Sequence, residues 1–142
     1  MPIRILLADD HGPFREEVRQ VLESYPDLAV VAEASSGEEA VNLSRRHQPD
    51  VAILDIRMAP LNGIEAIPRI LNDSPRTAVL ILTMHGDKPY VIRSVQAGAL
   101  GYLLKDCGEE VLVRAIRLVH EGKSYFSPAV SEAVACLAAG ES

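Results

Sequence analysis

Asp9 and Asp10 follow the apolar run Ile3–Ala8, and Asp55 sits at the end of the run that begins at Val51. Thr83 follows Ala78–Leu82, and Lys105 follows Leu100–Leu104. In open parallel α/β sheets the ends of such strands face a ligand crevice. If the runs are neighbouring strands, three carboxylates, a hydroxyl and an ammonium converge on one rim. Three carboxylates in one pocket cannot all stay ionised at neutral pH without compensation: one takes up a proton, or a cation sits among them. An all-oxygen set with room for water suits Mg²⁺, which demands octahedral geometry at roughly 2.0–2.1 Å. The charges balance, because Asp9, Asp10 and Asp55 give −3 while Mg²⁺ and Lys105 give +3. A near-neutral site of this kind accepts a phosphoryl group better than bare carboxylates do. Mg²⁺ screens phosphoryl oxygens, and a carboxylate can act as the nucleophile toward phosphorus.

The elements that must position these groups are legible in the pattern. The runs at Ile3–Ala8, Val51–Ile56 and Ala78–Leu82 do not alternate apolar with polar, as expected for strands covered on both faces. Leu28–Ala34 and Leu100–Leu104 complete a set of five. Helical patterns lie between them. Phe14–Glu23 has Pro13 at its start. Ser36-Gly37-Glu38-Glu39 reads as a capping box, and Asp106-Cys107-Gly108-Glu109 has the same logic. Gly98 and Gly122 are natural helix stops. Ile64–Leu71 carries Pro68, which should bend that helix or delay its start. Ser127-Pro128 is expected to cap a last helix over Ala129–Leu137, and 138–142 reads as the start of a linker. Repeated β-α units imply a parallel sheet with right-handed crossovers and helices on both faces.

The 142 residues include 14 basic and 20 acidic side chains, for a net charge of −6, and 48% are hydrophobic. That apolar content excludes intrinsic disorder. The acidic balance argues against holding a phosphate backbone or anionic lipid with this segment alone. No apolar run approaches the roughly 18 residues of a membrane span. The N-terminal apolar stretch is too short for a signal peptide. Cys107 and Cys136 make no disulfide framework. The expectation is a cytoplasmic chain with no membrane contact.

Four stretches, in order, resemble the receiver domains of bacterial two-component response regulators, in particular the NarL/LuxR-type transcriptional regulators. They are Ile5-Leu6-Leu7-Ala8-Asp9-Asp10-His11, Pro49 to Met58, Leu82-Thr83-Met84-His85, and Ala97 to Asp106. The likeness spans about residues 3–128. It implies a flavodoxin-like, doubly wound, five-stranded parallel sheet in the order 2-1-3-4-5. It implies a receiver over 1–126, and over 127–142 a C-terminal helix and the start of a linker to an output domain that is not in this chain. Asp55 matches the phosphoacceptor, Asp10 the direct Mg²⁺ ligand, and Asp9 the ligand acting through water. Arg57 stands where a backbone carbonyl completes the metal shell. Thr83 and Lys105 match the groups that contact the phosphoryl oxygens, and Tyr102 the aromatic switch that turns inward with the threonine.

The implied function is acceptance of a phosphoryl group from a sensor histidine kinase. The change is then read out on the helix 4–strand 5–helix 5 face, controlling homodimerisation and a helix-turn-helix output domain that would bind DNA and regulate transcription. On this reading the chain is not an enzyme. A phosphorylation-independent dimerisation module is the alternative. An aspartyl phosphatase is a weaker one, since its usual second Asp falls at Arg57. The sequence departs from the pattern at Met58-Ala59-Pro60, where proline comes one position late, and at Asp106, where many receivers have proline. His11 and His85 read as solvated loop residues, His85 with a further role in modulating hydrolysis. Cys107, close after Lys105, could have a lowered pKa, but the favoured reading is an inert small residue near a helix start.

Overall fold

The computed structural model describes residues 2–58 and 61–138. The first five strands are β1 (Ile3–Ala8), β2 (Leu28–Ala34), β3 (Val51–Leu54), β4 (Ala78–Thr83) and β5 (Gly101–Leu104). Between and after them run α1 (Gly12–Glu23), α2 (Gly37–His47), α3 (Gly63–Asp73), α4 (Lys88–Ala97) and α5 (Glu109–His120). A two-residue strand, β6 (Tyr125–Phe126), and a helix, α6 (Pro128–Ala138), follow. All pairings are parallel, and the order is β2-β1-β3-β4-β5-β6. The expected order holds, with a sixth strand added outside β5. Two residues are too few for an apolar run to announce a strand.

Each central strand feeds two cores. Ile5, Leu7, Val51, Ile53, Leu80, Leu82 and Leu103 face α1 and α5. Leu6, Ala8, Ala52, Leu54, Val79, Ile81 and Tyr102 face α2, α3, α4 and α6. Because both faces are dry, no polar residue is tolerated at alternate positions, which is why the runs are continuous.

Several helix ends differ from expectation. Glu39 returns its carboxylate to Ser35 N (2.7 Å), not to Ser36, although Ser36 Oγ does accept from Glu39 N (3.1 Å). Helix α5 is not capped by Asp106: it starts two residues later behind Gly108, whose φ of +86° is left-handed and which offers no side-chain oxygen. Pro68 neither delays nor ends α3, which starts at Gly63 behind an Asn62–Glu65 capping box. The ring is exposed, so water can serve the Ile64 carbonyl that proline leaves without a donor. Ser127 does not cap α6 with its side chain. It is buried, and its Oγ accepts from Leu104 N at 3.2 Å, tying the C-terminal segment to β5. Val130 and Ala133 of α6 join the core that contains Tyr102. The proline departure at Ala59-Pro60 and residues 139–142 of the expected linker lie outside the described residues.

Candidate functional site

Strand register decides what meets on the rim. Ala8 lies opposite Leu54, and Asp55 N donates to the Ala8 carbonyl at 3.0 Å. Asp9 and Asp55, the next residues out, therefore leave adjacent strands side by side. On the other flank Thr83 lies opposite Leu104, and Lys105 N donates to the Thr83 carbonyl at 2.9 Å. Lys105 then reaches back across β4. Its Nζ stands 2.8 Å from Asp9 Oδ2 and 2.9 Å from Asp55 Oδ2.

Asp9 and Asp55 are buried, and the Lys105 side chain is only 13% exposed. The second oxygens are also engaged. Asp9 Oδ1 accepts from His11 N (2.9 Å), and Asp55 Oδ1 from Ile56 N (2.7 Å). Burial alone would pull the Lys105 ammonium toward neutrality. The hydrogen bonds and charges of Asp9 and Asp55 outweigh that and hold its pKa above the ordinary lysine value.

Asp10 is exposed, and one carboxylate oxygen each from Asp9, Asp10 and Asp55 fall within 4.8 Å of one another. Three hard oxygen donors at this spacing, beside an open cleft, fit Mg²⁺ with several waters retained. Lys105 supplies one positive charge against three negative ones, so the cluster still has room for a cation.

Thr83 is fully buried, and its Oγ1 accepts a long 3.4 Å bond from His85 N. Tyr102 is fully buried too, with its hydroxyl donating to the His85 carbonyl. Burial, with the charges of Asp87 and Asp55, pushes that phenol far above the usual tyrosine range. The inward position is thus filled in this structure, with α6 packed in the same core. Arg57 is exposed and lines the cleft together with Met84 and His85. Asp9, Asp10, Asp55 and Lys105 are brought together; Thr83 and Tyr102 stand beside them, linked through the His85 backbone.

Sequence reasoning missed four features. His11 caps α1, its Nδ1 accepting from Phe14 N at 3.3 Å. Arg15 ties α1 to the end of β1 by donating to the Asp9 carbonyl at 2.5 Å. Phe14 places its ring 4.3 Å from Lys105 Nζ. Gly63 passes so close to the phosphoacceptor candidate that an added Cβ would lie 2.1 Å from the Asp55 carbonyl oxygen. The Asn62-x-x-Glu65 box was the one readable signal, since it places the start of α3 there. Cys107 goes against the lowered-pKa reading: burial raises its thiol pKa, and the nearby Asp106 adds to the rise.

Comparison with known proteins gives a consistent picture. Residues 5–117 match the model of the response regulator receiver domain. The transcriptional regulatory protein DegU of Brevibacillus brevis is 40% identical over 129 residues, covering 91% of this chain and 55% of that protein. The response regulator GacA of Pseudomonas viridiflava is 38% identical over 133 residues, covering 94% and 62%. The chain therefore spans little more than half the length of these relatives. Among solved structures, a LuxR-family two-component response regulator from Aurantimonas sp. SI85-9A1 superposes with a TM-score of 0.89. It is 36% identical, with 95% of this chain and 96% of that one covered. No helix among the described residues is long and apolar enough to cross a membrane.

Proposed function

Because this chain belongs to the response-regulator receiver family, and within it to the NarL/LuxR type, we propose that Asp55 accepts a phosphoryl group from the phosphohistidine of a sensor kinase. Asp55 Oδ attacks phosphorus, the O–P bond forms as the P–N bond breaks, and the histidine nitrogen leaves with the electron pair. The observation that carries this reading is the Lys105 bridge between Asp9 and Asp55, with the Asp10 carboxylate in the same cluster.

Each residue has a task set by its position. Asp10 and Asp55, with Asp9 through water and the Arg57 backbone carbonyl, would hold Mg²⁺, whose chemistry is to neutralise charge on phosphoryl oxygens. The Ile56 N–H fixes one Asp55 oxygen, leaving the other beside Lys105. Lys105 pairs with the incoming phosphoryl oxygens once Asp55 is esterified. Thr83 donates its hydroxyl to them and gives up its long bond with the His85 N–H. That movement shifts the segment to which the Tyr102 hydroxyl is bonded.

Output is read on the α4–β5–α5 face, in dimerisation and in control of a DNA-binding domain elsewhere in the full protein. In this structure that face carries β6 along β5 and α6 against α4, so the switch acts on a covered surface. DNA contact is not assigned to these residues, and neither is turnover of an external substrate. Arg57 stands two positions after Asp55, where a phosphatase would need a second acid.

The test is intact mass after incubation with acetyl phosphate and MgCl₂. One labile phosphoryl group is expected, absent in Asp55→Ala and absent in chelator. No adduct with any phosphoryl donor would leave the phosphorylation-independent module standing. Turnover of a phosphomonoester would point to the phosphatase.

A further inference from the structure

Lys105 has three N–H bonds, and two are spent on Asp9 and Asp55. The remaining side of the ammonium faces the Phe14 ring, whose centroid lies 4.3 Å from Nζ. That is well inside the range of about 6 Å over which an aromatic face attracts a cation, and the ion is largely shielded from water, where the attraction is strongest. Phe14 is no passive filler at a loose end. It sits in the first turn of α1, which is held twice: His11 Nδ1 accepts from Phe14 N, and Arg15 donates to the Asp9 carbonyl. The ring is thereby fixed relative to Asp9 itself.

The consequence follows from what changes during the reaction. Esterification removes charge from Asp55, and a cation in the cluster competes with Lys105 for Asp9. Both ionic partners of the ammonium are altered. The ring face changes neither its charge nor its place. We propose that Phe14 is a positioning residue for phosphoryl transfer, seating the Lys105 ammonium so that it meets the phosphoryl oxygens while its carboxylate partners change. This rests on Asp55 being the phosphoacceptor.

The test uses the full chain with acetyl phosphate and MgCl₂, following phosphorylation and dephosphorylation rates by intact mass. Phe14→Leu keeps apolar bulk without the ring face and should slow phosphorylation about three- to tenfold, the range expected of one cation–aromatic contact. Phe14→Tyr should restore the rate to within about twofold. A variant carrying 3,5-difluorophenylalanine at position 14 keeps the shape and drains the ring. It should fall between Phe14→Leu and the unmodified chain, and it remains informative if Phe14→Leu does not fold. Equal rates for the difluorinated and unmodified chains would overturn the assignment, even if Phe14→Leu is slow, because bulk alone would then explain the loss. If the unmodified chain takes no phosphoryl group, the phosphoacceptor reading and this one fall together. If it does and only the Phe14 variants behave alike, the role of Phe14 alone is lost.

Discussion

Replacing Lys105 by Met removes the only cation paired with the Asp9 and Asp55 carboxylates among the described residues while keeping an unbranched side chain. Breaking a buried ion pair from one side costs about 3–5 kcal/mol, because the surviving charge is left without a partner. Here two carboxylates are left. At neutral pH without divalent metal, a loss near the upper end of that range is expected, lowering the melting temperature by roughly 10–20 °C for a domain of this size. The deficit should be repairable. Mg²⁺ restores charge balance, and ligand at 100 times its Kd adds about 2.7 kcal/mol to a folded state that alone binds it. The variant presents −3 to the metal and the parent −2, so MgCl₂ should stabilise the variant more. Urea denaturation of both chains in chelator and in saturating MgCl₂ measures both effects. Equal stability of the two chains in chelator, or an equal gain from MgCl₂, would refute the idea that Lys105 and a metal share one carboxylate cluster.

Further outcomes follow from the same geometry. The pKa of Lys105 is raised in the fold, so its stabilising contribution is complete below the ordinary value of 10.5 and drains away as pH climbs through the higher folded value. The stability gap between parent and Lys105→Met in chelator should therefore stay level up to that point and shrink only above it, as read by urea midpoints. Gly63→Ala would press a methyl group against the Asp55 carbonyl, and backbone cannot swing aside as a side-chain tip can. A loss of about 1–3 kcal/mol or more in chemical denaturation is expected, and a neutral result would contradict the close approach. Cys107, its thiol raised by burial, should react with iodoacetamide at mildly alkaline pH more slowly in the folded chain than in urea. His85→Ala should change the dephosphorylation rate of the phosphorylated chain, since the backbone of His85 bonds both Thr83 and Tyr102 and its side chain lines the cleft; an unchanged rate removes His85 from that role.

The sheet was legible because burial on both faces leaves an unmistakable trace, a continuous apolar run with a polar residue at its end. The five candidate rim positions were legible for the same reason: Asp9, Asp10, Asp55, Thr83 and Lys105 are where such runs stop or have just stopped. What could not be read was set by through-space contact. Whether Lys105 points at Asp9, Asp55 or water depends on the register of three strands. The Phe14 ring reaches Lys105 only because α1 begins two residues earlier than its apolar pattern shows, capped by a histidine. The Asp106 cap failed because Gly108 adopts a left-handed φ that breaks the turn before α5 begins. β6 was invisible because its two residues are held by Ser127 and the edge of β5 rather than by any pattern of their own.

That last element bears on how a signal could leave the site. Strand β5 turns Tyr102 to one core and Leu103 to the other, and Lys105 follows directly on its end, so the strand connects the rim to the fold on either side of the sheet. Its outer edge is not free: Ser127 N donates to the Tyr102 carbonyl at 3.0 Å, and Leu104 N donates to Ser127 Oγ. Val130 and Ala133 of α6 belong to the same buried core as the Tyr102 side chain. On the proposed switch, a displacement of Tyr102 would be felt first by the segment bonded to it, through Ser127. Binding equilibria are reciprocal, so under the proposed phosphoacceptor role of Asp55 a second copy that draws α6 away should alter the stability of the phosphorylated rim. Under the proposed switch role of Tyr102, the C-terminal segment is already bonded to the residue that moves, through the Ser127 N–H on the Tyr102 carbonyl, and coupling would need no longer path than one strand width.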